Sequence, residues 1–296
     1  MKRGWKIALG VLGLVVVIGS GGMGWMLTQA PKPAKMVAPG PNGKRIAAEG
    51  MLANYFPAGG KGPHPAILLL GGSEGGLAEG LRAQALLLQA AGFSTLHLAY
   101  HNAPGKSAKL VNIPLEEFYR ALDWLKRQSG VDARRIAIVG YSKGAEAGLL
   151  VATRYPGIRA TVLGMPSSVV WDGMSGENYL LGSFSSSWSE KGEPIAHLAY
   201  KGQLMLICGE AEKLWPSCPM TDQIVERARL KGAPQPIVLR YKDAGHGVAG
   251  APRSNRDQDK WPGKLGGTEE GNWAARADSW PKIVNFLRTE LGVVAK

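Results

Sequence analysis

Four consecutive apolar residues, Ile136, Ala137, Ile138 and Val139, lead directly into Gly140-Tyr141-Ser142-Lys143-Gly144. A run of good helix formers follows, from Ala145 through Leu149 and Leu150 to Ala152, ahead of Pro156. This stretch predicts a buried strand, a sharp turn and a helix in immediate succession. Such a turn holds its central residue in a strained conformation, and side chains at the two glycine positions would collide with the neighbouring strand and helix. Ser142 is thereby presented as a candidate nucleophile. In a chain with 41 glycines among 296 residues the five-residue pattern also arises by chance, so its surroundings must support it.

The surroundings alternate in the required way. Strands are expected over Ile46 to Phe56 and Ala66 to Leu70, joined by a turn from Pro57 to Pro65, then a helix from Leu77 to Ala91 and a strand from Ser94 to Ala99. Leu115, Phe118, Leu122 and Leu125 share one helical face, with Pro114 opening that helix where a missing N–H does no harm. Beyond the 136–139 strand and its helix come strands at 160–163 and 204–208. A helix from Met220 to Leu230, a strand from Ile237 to Tyr241 and a terminal helix from about Ala275 to Leu291 complete the series. Alternating strands and helices with apolar strands imply an α/β fold, a mostly parallel central sheet with helices on both faces. One domain over 45–296 suits the length.

The amino-terminal part is different. Residues 7–30 carry no charge after a basic start at Lys2, Arg3 and Lys6, a length sufficient for one membrane-spanning helix. An uncleaved anchor is the favoured reading. Thr28 and Ala30 also suit cleavage of a signal segment, although Pro31 after the cut opposes it. Residues 31–44, rich in Pro, Gly and Lys, read as an extended tether. Basic residues on both sides of the apolar run leave the positive-inside rule undecided, while the short leading tail favours an extracytoplasmic domain. Of the formal charge of +12, residues 1–45 supply seven units with no acid among them. The remainder is ordinary for a soluble domain, and no basic stripe with interleaved aromatics suggests a nucleic-acid partner. Cys208 and Cys218 either form a disulfide or remain two buried thiols.

A serine nucleophile needs a base, and the base needs an acid to fix its tautomer. In the α/β-hydrolase order these follow as serine, acid, histidine. His246 lies in Ala244-Gly245-His246-Gly247, just past the 237–241 strand, whereas His64, His97 and His101 precede the serine and His197 falls in an irregular segment. The acid belongs past the 204–208 strand, in Gly209-Glu210-Ala211-Glu212. Glu212, three residues beyond the glycine, is preferred over Glu210, with Asp243 third because it lies too near His246. The oxyanion donors are assigned to the N–H groups of Lys143 and of Ser73, in the loop Gly71-Gly72-Ser73-Glu74-Gly75-Gly76. The side chains of Ser73 and Glu74 are also candidates to face the pocket. Neither a P-loop Lys-Ser/Thr pair nor a dinucleotide glycine spacing is present, so no organic cofactor is called for, and no metal is needed. Residues 165–202 hold Trp171, Tyr179, Leu181, Phe184, Trp188 and Tyr200 among Ser and Gly. They form either a lid over an acyl pocket or aromatic packing against the domain. Trp171 and Trp215 are the candidate substrate contacts.

The runs AILLLGGSEGGL, AGFSTLHLAYHNAPG, IPLEEFYRALDWL, IAIVGYSKGAEAGLL, PSSVVWDG, GEAEKLWPS and GGTEEGNWAARADSWPKIVNFL carry a resemblance over about residues 45–292. Together they resemble the C-terminal domain of the acyl-CoA thioester hydrolases and bile acid-CoA:amino acid N-acyltransferases. The resemblance implies an α/β-hydrolase acting on acyl thioesters; the expected location offers an extracytoplasmic, dienelactone-hydrolase-like carboxylesterase as the alternative, and an acyltransferase or a non-catalytic binding protein of the same fold is the second alternative. Three departures stand out. Glu212 occupies a position where that family usually has Asp, the N-terminal β-sandwich of the animal enzymes is replaced by the anchor and tether, and Ser142 stands where the amino-acid-transferring members carry Cys. The last departure favours transfer to water over conjugation. A CoA thioester is a cytosolic substrate, which conflicts with the expected location.

Overall fold

The computed structural model describes residues 34–171, 200–252 and 263–293, together with Trp188 and Ile195. The apolar segment at 7–30 lies outside the described residues, as do His197 and most of the 165–202 segment, including Tyr179, Leu181 and Phe184. Among the described residues no helix is long and apolar enough to cross a membrane.

Eight strands form one sheet. They are β1 (Lys44–Ala48), β2 (Met51–Phe56), β3 (His64–Leu70), β4 (Ser94–Ala99), β5 (Val131–Tyr141), β6 (Ile158–Gly164), β7 (Gln203–Gly209) and β8 (Ile237–Tyr241). Among the described residues five α-helices accompany them: α1 (Glu79–Ala90), α2 (Glu116–Lys126), α3 (Lys143–Arg154), α4 (Ser217–Leu230) and α5 (Glu269–Leu291). The spatial order is β1-β2-β4-β3-β5-β6-β7-β8, antiparallel at the first two pairings and parallel in the other five.

Alternation within the strands separates two cores. Leu68, Leu70, Ile136, Ile138, Leu163 and Leu206 pack with Phe118 and Leu122 of α2, Leu149 and Leu150 of α3, and Ile224 of α4. Their neighbours Ile67, Leu69, Ala137, Val139, Val162 and Ile207 face the other way, onto Leu81, Ala85 and Leu88 of α1 and Ile283, Phe286 and Leu287 of α5. Strands buried on both faces read as continuous apolar runs because each successive side chain enters one core or the other. This is the α/β-hydrolase arrangement.

Several boundaries differ from the sequence expectation. The segment 46–56 is two strands of a hairpin, turned at Glu49 (φ 54°) and Gly50 (φ 69°), the positive-φ pair that matches the twist of antiparallel strands. The terminal helix α5 starts at Glu269, six residues before Ala275, because Thr268 caps it by accepting the Gly271 N–H at 2.9 Å. Helix α4 begins at Ser217 and so takes in Cys218. Residues 34–43 run along the domain: Val37 N–H donates to Leu77 O at 2.9 Å, and Leu77 N–H returns a bond to Lys35 O at 2.8 Å.

The chain order reverses between β3 and β5. Helix α1 leaves β3 toward one face, and α3 leaves β5 toward the other. The carboxyl ends of these two strands are the position at which a doubly wound sheet places its ligands.

Candidate active site

Ser142 follows directly on β5, at this switch point, with φ 54° and ψ −123°, a conformation that an L-residue holds only when its surroundings impose it. The two elbow glycines supply the imposition. A Cβ on Gly140 would lie 2.2 Å from Gly144 O, and one on Gly144 would lie 2.2 Å from Gly71 O. Any side chain at either position would push α3 off β5 or off the end of β3. The loop after β3 is therefore pressed against the elbow, and the Gly72 α-carbon faces Ser142 Cβ. Tyr100 holds the loop from below, donating its hydroxyl to Gly71 O at 2.6 Å.

His246 Nε2 stands 2.9 Å from Ser142 Oγ, and His246 Nδ1 is hydrogen-bonded to Glu212 Oε1. A carboxylate only accepts, so Nδ1 carries the proton and Nε2 is left as the acceptor for the serine hydroxyl. All three side chains are largely buried. The second Glu212 oxygen accepts the Ser217 hydroxyl at the start of α4. Glu210 points elsewhere and pairs with Arg240 at 3.8 Å, while Asp243 is exposed on the turn before Ala244. Of the three acids considered, Glu212 is the one that meets the histidine.

Two loops carry this acid and base, and they are fastened together. Ala211 N–H donates to Ala244 O at 3.0 Å, His246 N–H to Leu265 O at 2.9 Å, and Gly267 N–H to Ala211 O at 3.0 Å. From α5, Asn272 accepts the Gly245 N–H at 2.8 Å and Arg276 Nε donates to Gly247 O at 2.7 Å. Beneath the acid loop Cys208 and Cys218 form a disulfide, joining the end of β7 to the first turn of α4 across a Cα separation of 5.2 Å. Of the two states left open by the sequence, the structure has the bridge.

These features meet the comparisons with known proteins. The family model described as BAAT / acyl-CoA thioester hydrolase C terminal matches residues 113–179 and 183–293. The chain belongs to this family. Its similarity to acyl-coenzyme A thioesterase 2, mitochondrial, of Mus musculus is 24% identity over 91% of this chain and 65% of that protein. With the bile acid-CoA:amino acid N-acyltransferase of Mus musculus it is 28% over 86% and 67%. The chain thus spans about two thirds of the length of these relatives. Among solved structures, a thermophilic esterase of the Planctomycetes species Thermogutta terrifontis superposes with a TM-score of 0.60 at 15% identity, over 86% of this chain and 97% of its own. A dienelactone hydrolase-like promiscuous phosphotriesterase from metagenomic libraries gives 0.55 at 16% identity, over 84% and 98%. These likenesses confirm the fold.

Within this member of the BAAT / thioester hydrolase family, two further carboxyls lie beside the elbow. Glu74 is exposed as a whole residue, but its carboxyl oxygens lie over Gly71 and Gly72 and accept the N–H groups of Gly72 and Glu74. Burial raises its pKa, opposed by those two donors and by the facing His246. Glu146, in the first turn of α3, is fully buried. Its pKa is also raised by burial, with Lys143 the main opposing influence. The sequence reading marked Glu74 as a candidate and missed Glu146, Ser217 and Asn272. The available signal for Glu146 was its position among Ala145, Ala147, Gly148 and Leu149, a stretch too apolar to face water. Trp171 and Trp215 stack with centroids 6.4 Å apart and planes 14° apart, and Trp215 meets His246 edge-on at 5.6 Å.

Proposed function

We propose that this chain is a serine hydrolase cleaving acyl thioesters or esters through an acyl-enzyme on Ser142. The observation that carries the reading is the continuous relay from Ser142 Oγ through His246 to Glu212, buried at the switch point of the sheet. Ser142 Oγ attacks the acyl carbonyl while His246 Nε2 takes its proton, and Glu212 stabilises the resulting imidazolium. The oxyanion is received by the N–H groups of Lys143, at the start of α3, and of Ser73, in the loop pressed on the elbow. Collapse of the tetrahedral species breaks the bond to the leaving sulfur or oxygen, which takes the proton from His246. Water then repeats the sequence in reverse roles, giving the free acid and restoring Ser142. No step calls for a metal or an organic cofactor.

Thioesters are the favoured substrate class because the curated relatives named above are acyl-CoA enzymes. Esters are the second reading, supported by the disulfide, since such bridges persist in oxidising compartments where CoA thioesters are scarce. The ester reading carries with it an anchor at residues 7–30 with the catalytic domain outside the cytoplasm, whereas the thioester reading requires that domain to face the cytosol. A topology reporter at the carboxyl terminus tests that part, and a cytoplasmic signal overturns the extracytoplasmic setting. The chemistry is tested by offering the full chain acyl-CoAs of several lengths and matched aryl esters, beside Ser142→Ala. CoA release that depends on Ser142 supports the thioesterase reading, whereas ester turnover without CoA release removes it. No Ser142-dependent turnover of either class defeats the enzyme reading altogether.

A further inference from the structure

Glu146 takes no part in the relay. Its carboxylate is nonetheless the meeting point of three donors. Oε1 accepts the indole N–H of Trp188 at 2.7 Å and the main-chain N–H of Trp171 at 3.1 Å. Oε2 faces Lys143 Nζ at 3.2 Å, with both side chains almost wholly buried. Trp188, itself fully buried, packs on Tyr100 and Phe118 at 5.8 Å each and bridges to Ile113. Lys143 Nζ also sits 5.7 Å from the Trp215 ring. One carboxylate thus ties α3 to the segment after β6 at both Trp171 and Trp188.

The consequence concerns the two stacked indoles. Trp171 is exposed, Trp215 is half-buried, and the stacked pair forms an apolar wall beside His246. Trp171 belongs to a loop and Trp215 to the acid loop, so no regular element sets their relative position. The main-chain bond from Trp171 to Glu146 does so from one side. Lys143 links the same carboxylate toward Trp215 from the other.

We propose that Glu146 is a positioning residue whose carboxylate holds the Trp171–Trp215 wall in place, and that this wall receives the apolar acyl portion of the substrate. The proposal rests on the serine hydrolase reading for its substrate. An acyl chain fits the wall better than a charged leaving group does, because the cation beside it, Lys143, already faces Glu146 and the surfaces offered are indole faces. A buried carboxylate with three donors is also costly to disturb, since removing it takes an ion-pair partner from the buried Lys143 and an acceptor from two N–H groups.

The test uses the full chain with Glu146→Gln, Glu146→Ala and Trp171→Phe. Substrates are acetyl, butyryl, octanoyl and dodecanoyl esters of one aryl leaving group, then one acyl group on several leaving groups. In Glu146→Ala, KM is expected to rise about tenfold for dodecanoyl and about twofold for acetyl, with kcat changed much less. Glu146→Gln keeps an acceptor for the two N–H groups and is expected to recover most of the loss. The exciton couplet of the stacked indoles in circular dichroism gives a second readout that needs no turnover. It is expected to vanish in Trp171→Phe and Glu146→Ala and to persist in Glu146→Gln. A loss independent of chain length, or one that follows the leaving group, overturns the acyl assignment. A couplet unchanged in Glu146→Ala overturns the positioning role, even if the wild type hydrolyses none of the substrates. If Glu146→Ala does not fold, Glu146→Gln decides: a chain-length-dependent KM as large as that of Trp171→Phe contradicts the idea that hydrogen-bond acceptance sets the wall.

Discussion

Two buried glutamates flank Ser142 and keep different company. Glu212 is held by an uncharged hydroxyl, Ser217, and otherwise turns to His246, a group that changes protonation in the reaction proposed above. Glu146 is held by a lysine, an indole and a main-chain N–H, none of which changes protonation during catalysis. The first arrangement leaves the carboxylate able to respond to charge appearing on the imidazole. The second saturates it. Burial alone therefore does not mark a catalytic acid; the partner's ability to take up a proton does.

The comparison is broken most severely at Glu212. Glu212→Gln is expected to lower kcat by about a thousandfold with little change in KM, because the amide offers an N–H where His246 Nδ1 needs an acceptor. Glu210→Gln, which disturbs only a pair with Arg240 near the surface, should stay within about twofold. Equal losses in steady-state kinetics would mean that the acid has been misassigned. On the Glu146 side the effect is the smaller, KM-borne one described above.

A third buried group sharpens the contrast. His97, on β4, has no hydrogen-bond partner for either ring nitrogen among the described residues, and burial lowers its pKa to about 3. Because the folded value is below the unfolded one, the unfolded chain gains the proton first. Stability is then lost as pH falls from about 6.5 toward 3, and the loss near pH 5 amounts to about 2 kcal/mol from this residue. Urea melts of wild type and His97→Leu across that range check it: the pH dependence should flatten in the variant, and parallel curves would remove His97 as the source.

Much of this was open to reading from the chain. The sheet was legible because β3, β5, β6 and β7 are buried on both faces and so read as unbroken apolar runs. The hairpin at 44–56 was hidden because Ile46 to Phe56 reads as one strand-like stretch in which only Glu49-Gly50 marks the turn. The start of α5 was obscured by Gly271, which looks like a helix breaker but supplies the N–H that Thr268 caps. In the site, chain order and strand ends located Ser142, Glu212 and His246. Glu146 escaped because Lys143 and Glu146, three residues apart, look like a solvated pair on a helix surface. The packing of α3 against β5 and β6 shows that this surface faces the interior.

The central claim is that Ser142 carries the acyl group. Rapid mixing of the full chain with a slowly hydrolysed acyl ester, followed by acid quench, intact-mass measurement and peptide mapping, tests it directly. The account predicts one acyl group per chain, on the peptide containing Ser142, and none on Ser142→Ala. An acyl group on another residue, or undiminished turnover by Ser142→Ala, would contradict it.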